Sequence, residues 1–179
     1  MTTIYYFLIV LMIPLFLKAA DMPGAGEAAP LFELKDGEGN THKLSDYAGK
    51  IVALYFYPKN DTPGCTAQAC NLRDNFDALK DANVVILGVS FDGKASHQAF
   101  KSKYNLPFPL LADTTKAVGE AYGVTGGLMG FIGPKRVTFL IDEKGNILDV
   151  ISKVSTSNHT EQILGVLKEK KKSESTDNQ

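Results

Sequence analysis

The sequence predicts an α/β fold in which helices flank one mixed sheet. Two continuous apolar runs, residues 51–57 and 84–89, are typical of strands that are covered on both faces. Segments with helical spacing alternate with these strands, and a hairpin followed by a helix ends the pattern. With 179 residues, 44% of them hydrophobic, the chain is long enough for one domain with a substantial core.

The elements before the first central strand are short. Apolar and polar residues at 31–34 and 41–44 flank a turn rich in Asp, Gly and Asn, which predicts an N-terminal β-hairpin. Ser45 and Asp46 can cap a short helical turn. This turn would lead directly into the apolar strand.

The elements after that strand alternate between helix and strand. Apolar residues at helical spacing predict a helix from Cys65 to about Lys80. The later predicted elements are a strand at 84–89, a helix at 94–104, an edge strand at 108–111, a helix at 115–122, a hairpin of strands at 136–142 and 147–151, and a helix at 158–170.

The two ends of the chain differ from the predicted domain. Residues 4–17 form a nearly unbroken apolar run that is too short for a comfortable membrane span, and small residues follow it. We predict a signal peptide, with an uncleaved membrane anchor as the alternative, so the expected location is periplasmic, secreted or membrane-anchored. The predicted organisation is a signal segment at 1–20, a linker at 21–28, one domain at 29–170 and a disordered polar tail at 171–179.

The charge and the metal-binding residue types exclude two classes of function. The net charge is −1, which gives no reason to expect a nucleic acid partner. No Cys-x2-Cys or His-x3-His spacing is present, so a metal site is not expected. The histidines, His42, His97 and His159, are predicted to be surface or helix-end residues without a catalytic role.

The two cysteines carry the clearest chemical signal. Cys65 follows a Pro-Gly turn at the predicted start of a helix, where a thiol is biased toward the reactive thiolate. Cys70 lies five residues later and is the only other cysteine. The pair indicates redox chemistry at sulfur. A buried, inert Cys65 and a permanent disulfide of an exported protein are the structural alternatives.

The residues around Cys65 resemble the active-site motif of the peroxiredoxins. The spacing Pro58-x3-Thr62-x2-Cys65 matches that motif, and residues 55–74 resemble the bacterioferritin comigratory protein, or Q-type, subgroup of these AhpC/TSA-like proteins. Weaker similarities extend through most of residues 29–170. The resemblance implies a thioredoxin-like fold, with a central mixed sheet flanked by helices and an N-terminal β-hairpin.

The resemblance also implies a role for each residue of the motif. Cys65 would be the peroxidatic cysteine and Cys70 the resolving cysteine, with Thr62 and Arg136 completing the site. Full ionisation raises the amount of thiolate only about 30-fold over an ordinary thiol, so the site must also orient the peroxide and stabilise its departing oxygen. On their own, Thr62 would equally suit a helix cap and Arg136 a surface charge. The supporting loop positions are Pro58, Pro63 and Gly64.

The implied reaction is the reduction of hydrogen peroxide or an organic hydroperoxide to water or alcohol. Cys65 would become a sulfenic acid, Cys70 would resolve it as an intramolecular disulfide, and a thioredoxin-like donor would restore both thiols. No metal, haem or flavin is implied, and a monomer is expected. On one regular helix the two Cα atoms would be roughly 8 to 9 Å apart, beyond the disulfide limit of about 7 Å. Formation of the disulfide would therefore require residues 63–72 to unwind.

Several alternatives remain open from the sequence. The chain could be a thiol-disulfide oxidoreductase, which normally has Cys-x2-Cys, or a noncatalytic redox sensor that binds a partner. Cys70 could be a core residue, with an outside thiol resolving Cys65. The apolar, glycine-rich segment 125–133 is expected to be a mobile flap near the site or a plain flexible loop. Arg73 competes with Arg136 as the active-site guanidinium but is expected to form a salt bridge instead.

Overall fold

The computed structural model describes residues 21–126 and 133–177. The predicted signal segment at 1–20, and residues 127–132 of the glycine-rich loop, lie outside the described residues. The strands are β1 Glu33–Lys35, β2 Thr41–Lys43, β3 Ile51–Phe56, β4 Val84–Ser90, β5 Leu110–Ala112, β6 Val137–Ile141 and β7 Ile147–Ile151. The helices are α1 Pro63–Asp74, α2 Phe76–Asp81, α3 Lys94–Tyr104, α4 Ala117–Ala121 and α5 His159–Asp177, and a 3-10 turn spans Leu44–Tyr47.

The central sheet is mixed, as predicted, and has the order β5-β4-β3-β6-β7. Strand β3 pairs in parallel with β4 and antiparallel with β6. Strands β1 and β2 form the predicted hairpin, a separate two-stranded sheet. Within the described part of the chain, no helix combines the length and apolar character needed to cross a bilayer.

Both faces of the sheet are covered, which explains the continuous apolar run of β3. Ala53 and Tyr55 pack into a core with residues of α1, α2, α3 and α5. Leu54 and Phe56 point to the opposite face, where they pack with the N-terminal segment and with Val118 of α4. All six residues of β3 are buried. This is the pattern that two covered faces impose on a central strand.

The predicted helix from Cys65 to Lys80 is in fact two helices. Helix α1 ends at Asp74 and α2 begins at Phe76, with Asn75 between them at φ −114° and ψ 21°. The Asn75 side-chain amide donates to the Asn71 carbonyl oxygen (2.8 Å). An asparagine side chain that bonds nearby backbone favours such a break, and spacing alone did not reveal it.

The C-terminal helix is longer than predicted. The sequence predicted an end near Lys170 and a disordered tail at 171–179, but α5 continues to Asp177. The lysine- and glutamate-rich segment has favourable helix propensity, and this outweighs its lack of an apolar face. The hydroxyl groups of Ser173 and Ser175 also donate to carbonyl oxygens three residues earlier, both at 2.8 Å.

The register of the two central antiparallel strands positions the candidate site. Phe56, the last residue of β3, lies opposite Val137, the first residue of β6. The chain that leaves β3 and the residue that precedes β6 therefore meet at one edge of the sheet. The chain that leaves β3 leads to Cys65, and the residue that precedes β6 is Arg136.

Candidate active site

Cys65 lies in the first turn of α1, close to the end of the central strand. Thr62 is the N-cap residue and Pro63 the first helical residue, where proline suits a helix because its missing N–H would have no helical partner. The Cys65 side chain is only 2% exposed, and the thiol is free. A nearly buried thiol at a helix N-terminus experiences the positive end of the helix dipole.

The loop between β3 and α1 is held by a buried polar cluster. The Tyr57 hydroxyl donates to Asn60 Oδ1 (2.6 Å), and the side-chain nitrogen of Asn60, Nδ2, donates to Ser96 Oγ (2.9 Å). The Asn60 backbone N–H donates to Asp92 Oδ2 (2.9 Å). These contacts tie the loop to α3 and to the segment that follows β4, so the start of α1 has a fixed position.

Arg136 contacts the candidate nucleophile directly. Its Nη2 donates to Cys65 Sγ at 3.2 Å, and its Nη1 donates to the side-chain oxygen of Gln68. A guanidinium so placed favours negative charge on the sulfur. The structure therefore brings together Arg136 and Cys65, which are 71 residues apart in sequence.

A second layer of buried polar groups stands behind Arg136. Gln68 Nε2 lies 3.1 Å from His159 Nδ1, and His159 Nε2 lies 2.9 Å from Thr138 Oγ1. Gln68, His159 and Thr138 are all fully buried. Burial, with the nearby charge of Arg136, lowers the pKa of His159 to about 4. The imidazole is therefore neutral at physiological pH.

The other predicted residues belong to the loop and first turn around Cys65, and none of them forms a hydrogen bond to its sulfur. The Thr62 hydroxyl donates to the Lys59 carbonyl oxygen (3.0 Å), not to Cys65. Gly64 packs close to Arg136, since a Cβ there would lie 3.4 Å from Nη2. Gly133, at φ +154°, packs so tightly on the backbone of Pro58 that a Cβ would clash with it. Pro63 is exposed.

Cys70 lies on the same helix as Cys65 and is a free, partly buried thiol. Arg73, one turn further on, donates to the Tyr104 carbonyl oxygen (2.7 Å) and forms an ion pair with Asp74 (2.7 Å). The expectation that Arg73 forms a salt bridge is confirmed. It leaves Arg136 as the guanidinium at Cys65.

An aromatic side chain covers the inner side of the site. Tyr55 is 1% exposed, and its ring meets the ring of His159 edge-on at 6.1 Å. Burial raises the pKa of Tyr55 well above its ordinary value, and the neighbouring Cys65 adds to this effect. The phenol therefore stays neutral, and Tyr55 belongs to the core, as predicted.

The histidine prediction is confirmed only in part. His159 does begin helix α5, but it is fully buried, and His97 is fully buried within α3. Only His42 is partly exposed. Gln68 was not among the predicted site residues, although it lies one helical turn after Cys65 and so on the same helix face. Among residues 21–126 and 133–177, no group of His, Cys, Asp and Glu side chains could hold a metal ion.

The sequence pattern of the AhpC/TSA family matches residues 25–150. The chain belongs to this family. Within it, peroxiredoxin Bcp of Bacillus subtilis (strain 168) is 44% identical over an alignment of 148 residues, with 80% of this chain and 94% of that protein covered.

Solved structures of family members share the fold. Peroxidoxin BcpB from Mycobacterium tuberculosis has a TM-score of 0.75 at 35% identity, covering 82% of this chain and 97% of that one. The Xanthomonas campestris bacterioferritin comigratory protein has a TM-score of 0.71 at 32% identity, covering 76% and 90% respectively. The fold is therefore that of the peroxiredoxins, a thioredoxin-like fold, as expected from the resemblance.

Proposed function

We propose that this thiol-dependent peroxidase uses Cys65 as its peroxidatic residue and Cys70 as its resolving residue. Peroxidase activity follows from the family and from its close relatives. The observation that carries the assignment of Cys65 is the 3.2 Å hydrogen bond from Arg136 to its sulfur at the start of α1. Among the described residues, only this thiol has both a guanidinium partner and a helix N-terminus beside it.

The first step is a displacement at oxygen. The Cys65 thiolate attacks one peroxide oxygen, the O–O bond breaks, and the second oxygen leaves as hydroxide or alkoxide and takes up a proton. Cys65 becomes a sulfenic acid, oxidised by two electrons. Arg136 and the backbone N–H groups at the start of α1 stabilise the departing oxygen. The Thr62 hydroxyl, which already donates to Lys59, is ready to accept a hydrogen bond from the peroxide O–H.

Organic hydroperoxides are included among the proposed substrates. The Xanthomonas campestris bacterioferritin comigratory protein has alkyl peroxide reduction activity. The apolar glycine-rich segment 125–133 ends at Gly133, which packs on Pro58 beside the site. The apolar residue types in this segment favour substrates that carry an alkyl group.

The second step joins the two cysteines. The Cys70 thiol attacks the Cys65 sulfenic acid, a disulfide forms and water leaves. A thioredoxin-like dithiol then reduces this disulfide and is itself oxidised. No metal, haem or flavin takes part in either step of this proposal.

Export and a monomeric state complete the proposal. The apolar run at 4–17 has the length of a signal-peptide core, with a membrane anchor as the alternative. Among the described residues, Leu31 is the one strongly exposed large apolar side chain, which gives little surface for a stable dimer. An oxidising compartment would require a dedicated electron supply for turnover.

The test is stopped-flow oxidation of the reduced protein by hydrogen peroxide and by cumene hydroperoxide, followed by mass spectrometry. The wild type should lose two thiols and gain an internal Cys65–Cys70 bridge. Cys65→Ser should remove the fast phase, and Cys70→Ser should keep it but stop at sulfenic or sulfinic acid.

Two results would contradict parts of the proposal. A wild-type rate no faster than that of a free thiol would remove the peroxidase assignment of Cys65. Fast reaction without an internal bridge would move resolution to an outside thiol. The thiol-disulfide oxidoreductase alternative predicts insulin reduction without fast peroxide consumption, but the Cys-x4-Cys spacing does not favour it.

A further inference from the structure

We propose that His159 and Thr138 are positioning residues that hold the Gln68 amide in the one orientation that Arg136 can use. Neither residue contacts Cys65 in the structure; they act through Gln68 and Arg136. The inference rests on the proposed role of Arg136 beside Cys65. It adds two residues, from the start of α5 and from β6, to the machinery of that reaction.

The direction of each hydrogen bond in the series Arg136–Gln68–His159–Thr138 follows from Arg136. A guanidinium can only donate, so the Gln68 atom that it contacts must be the carbonyl oxygen. The amide nitrogen of Gln68 then faces His159 Nδ1 and donates to it (3.1 Å). His159 Nδ1 must therefore be an acceptor without a proton.

The proton of the neutral imidazole is consequently on Nε2. That nitrogen faces Thr138 Oγ1 at 2.9 Å, where the hydroxyl oxygen accepts it. The lowered pKa of His159 agrees with this arrangement, because an imidazolium would place a proton on Nδ1 against the Gln68 amide. The Thr138 hydroxyl thus accepts the Nε2 proton, and His159 Nδ1 accepts the Gln68 amide, so both groups favour the Gln68 orientation that keeps its oxygen toward Arg136.

The arrangement matters because an unrestrained glutamine amide can rotate and exchange the positions of its oxygen and its nitrogen. If Nδ1 carried a proton, or if the acceptor were absent, the amide could rotate and present its nitrogen to Arg136. Two donors would then face each other in a buried site, and the guanidinium would move to find another acceptor. Its Nη2 would leave the 3.2 Å contact with Cys65. Small displacements of a positioned group reduce rates strongly.

The test compares two substitutions at each position in the full-length protein. His159→Leu removes the acceptor, whereas His159→Asn places an amide oxygen near the position of Nδ1. Thr138→Val removes the acceptor for Nε2–H with little change in volume, and Thr138→Ser retains it. The rate constant for Cys65 oxidation by hydrogen peroxide should fall about 10- to 100-fold in the His159→Leu and Thr138→Val proteins and stay near wild type in the other two.

A spectroscopic measurement separates positioning from mere packing. In 15N-histidine-labelled wild type, the imidazole of His159, assigned by its loss in the His159→Asn variant, should be neutral and carry its proton on Nε2 at pH 7. Thr138→Val should shift it toward the Nδ1–H tautomer while circular dichroism shows an intact fold. If His159→Leu fails to fold, Thr138→Val still supplies both readouts.

The outcomes distinguish this inference from the proposed function. If wild-type Cys65 reacts slowly with hydrogen peroxide, its proposed peroxidatic role is overturned. The tautomer measurement would still test the series of hydrogen bonds from Arg136 to Thr138. A fast wild type with equally fast, folded His159→Leu and Thr138→Val proteins would overturn the positioning role. So would a wild-type His159 that is protonated on Nδ1 at pH 7.

Discussion

At the scale of single residues, the side chain of Arg136 makes two contacts at the site. One nitrogen of its guanidinium contacts Cys65 Sγ, and the other contacts Gln68. The planar fork fixes the direction of the first bond by means of the second. A lysine would retain the positive charge but could not make both contacts with this geometry.

Arg136→Lys is therefore expected to slow the reaction of Cys65 with hydrogen peroxide by about 100-fold, measured by stopped flow. Arg73→Lys is the matched control, because Arg73 bonds Tyr104 and Asp74 and makes no contact with Cys65. The control should retain a rate within about threefold of wild type, as expected of an exposed ion pair. Equal rates for the two variants would show that charge alone suffices near Cys65.

The residues of the site differ in how far sequence could identify them. Cys65 and Arg136 were predicted from a motif and a resemblance. Gln68 could have been found, because a residue three positions after Cys65 on a helix shares its face. His159 could not, since its contact with Gln68 spans 91 residues and a single histidine before a helix carries no signal of burial.

At the scale of elements, helix α1 is anchored on both sides of the two cysteines. Asn60 holds the loop before the helix to Asp92. Near its other end, Asn71 Oδ1 accepts the Thr160 backbone N–H (2.9 Å), and its amide donates to the Ser157 carbonyl oxygen (2.8 Å). Unwinding of residues 63–72 would leave the Asn60 anchor in place and would have to release the Asn71 anchor.

The same unwinding would dismantle the hydrogen-bond chain behind the site. Gln68 lies between Cys65 and Cys70 in sequence, so it cannot keep its place if the turns that contain both cysteines open. The contact of Arg136 with Gln68 would therefore exist only in the reduced enzyme. On this proposal the site would be assembled while Cys65 is reduced and would be taken apart when the disulfide with Cys70 forms.

Hydrogen exchange tests this local unfolding. Amides of residues 63–72 should exchange at least about tenfold faster in the disulfide form than in the reduced form, because their helical hydrogen bonds are lost. Helix α3, Lys94–Tyr104, should show equal protection in both forms and is the internal control. Cys70→Ser treated with peroxide should keep the reduced pattern. Identical protection of residues 63–72 in both forms would contradict the unwinding.

At the scale of the whole molecule, the candidate site lies at one end of the strands of the central sheet, whose two faces are covered. Strands β3 and β4 are parallel and end at the same edge, where antiparallel β6 begins. The site therefore lies at the carboxyl ends of the central parallel strands. Among the described residues, Leu31 is the one strongly exposed large apolar side chain.

The proposed export and monomeric state are tested on the intact gene product. Purified protein should have the light-scattering mass of one chain, and mass spectrometry should place its mature N-terminus near Asp21 in the periplasm or medium. Replacing Leu11 by Arg interrupts the apolar run and should leave the protein in the cytoplasm with residues 1–20 attached. A dimer mass, or an intact N-terminus on exported protein, would contradict the respective part.

The sequence by itself determined the class of fold, because covered strands and helices alternate along it, and its resemblance to the peroxiredoxins predicted the reactive cysteine and the chemistry. It predicted strand β3 and helix α3 closely, since covered strands and amphipathic helices have characteristic patterns. Only the tertiary structure decided which buried polar residues lie next to Arg136 and continue its hydrogen bonds. Gln68, Thr138 and His159 come from distant segments and meet through the register of β3 with β6 and the packing of α1 on α5. Hydrogen bonds between such segments leave no local pattern in the sequence.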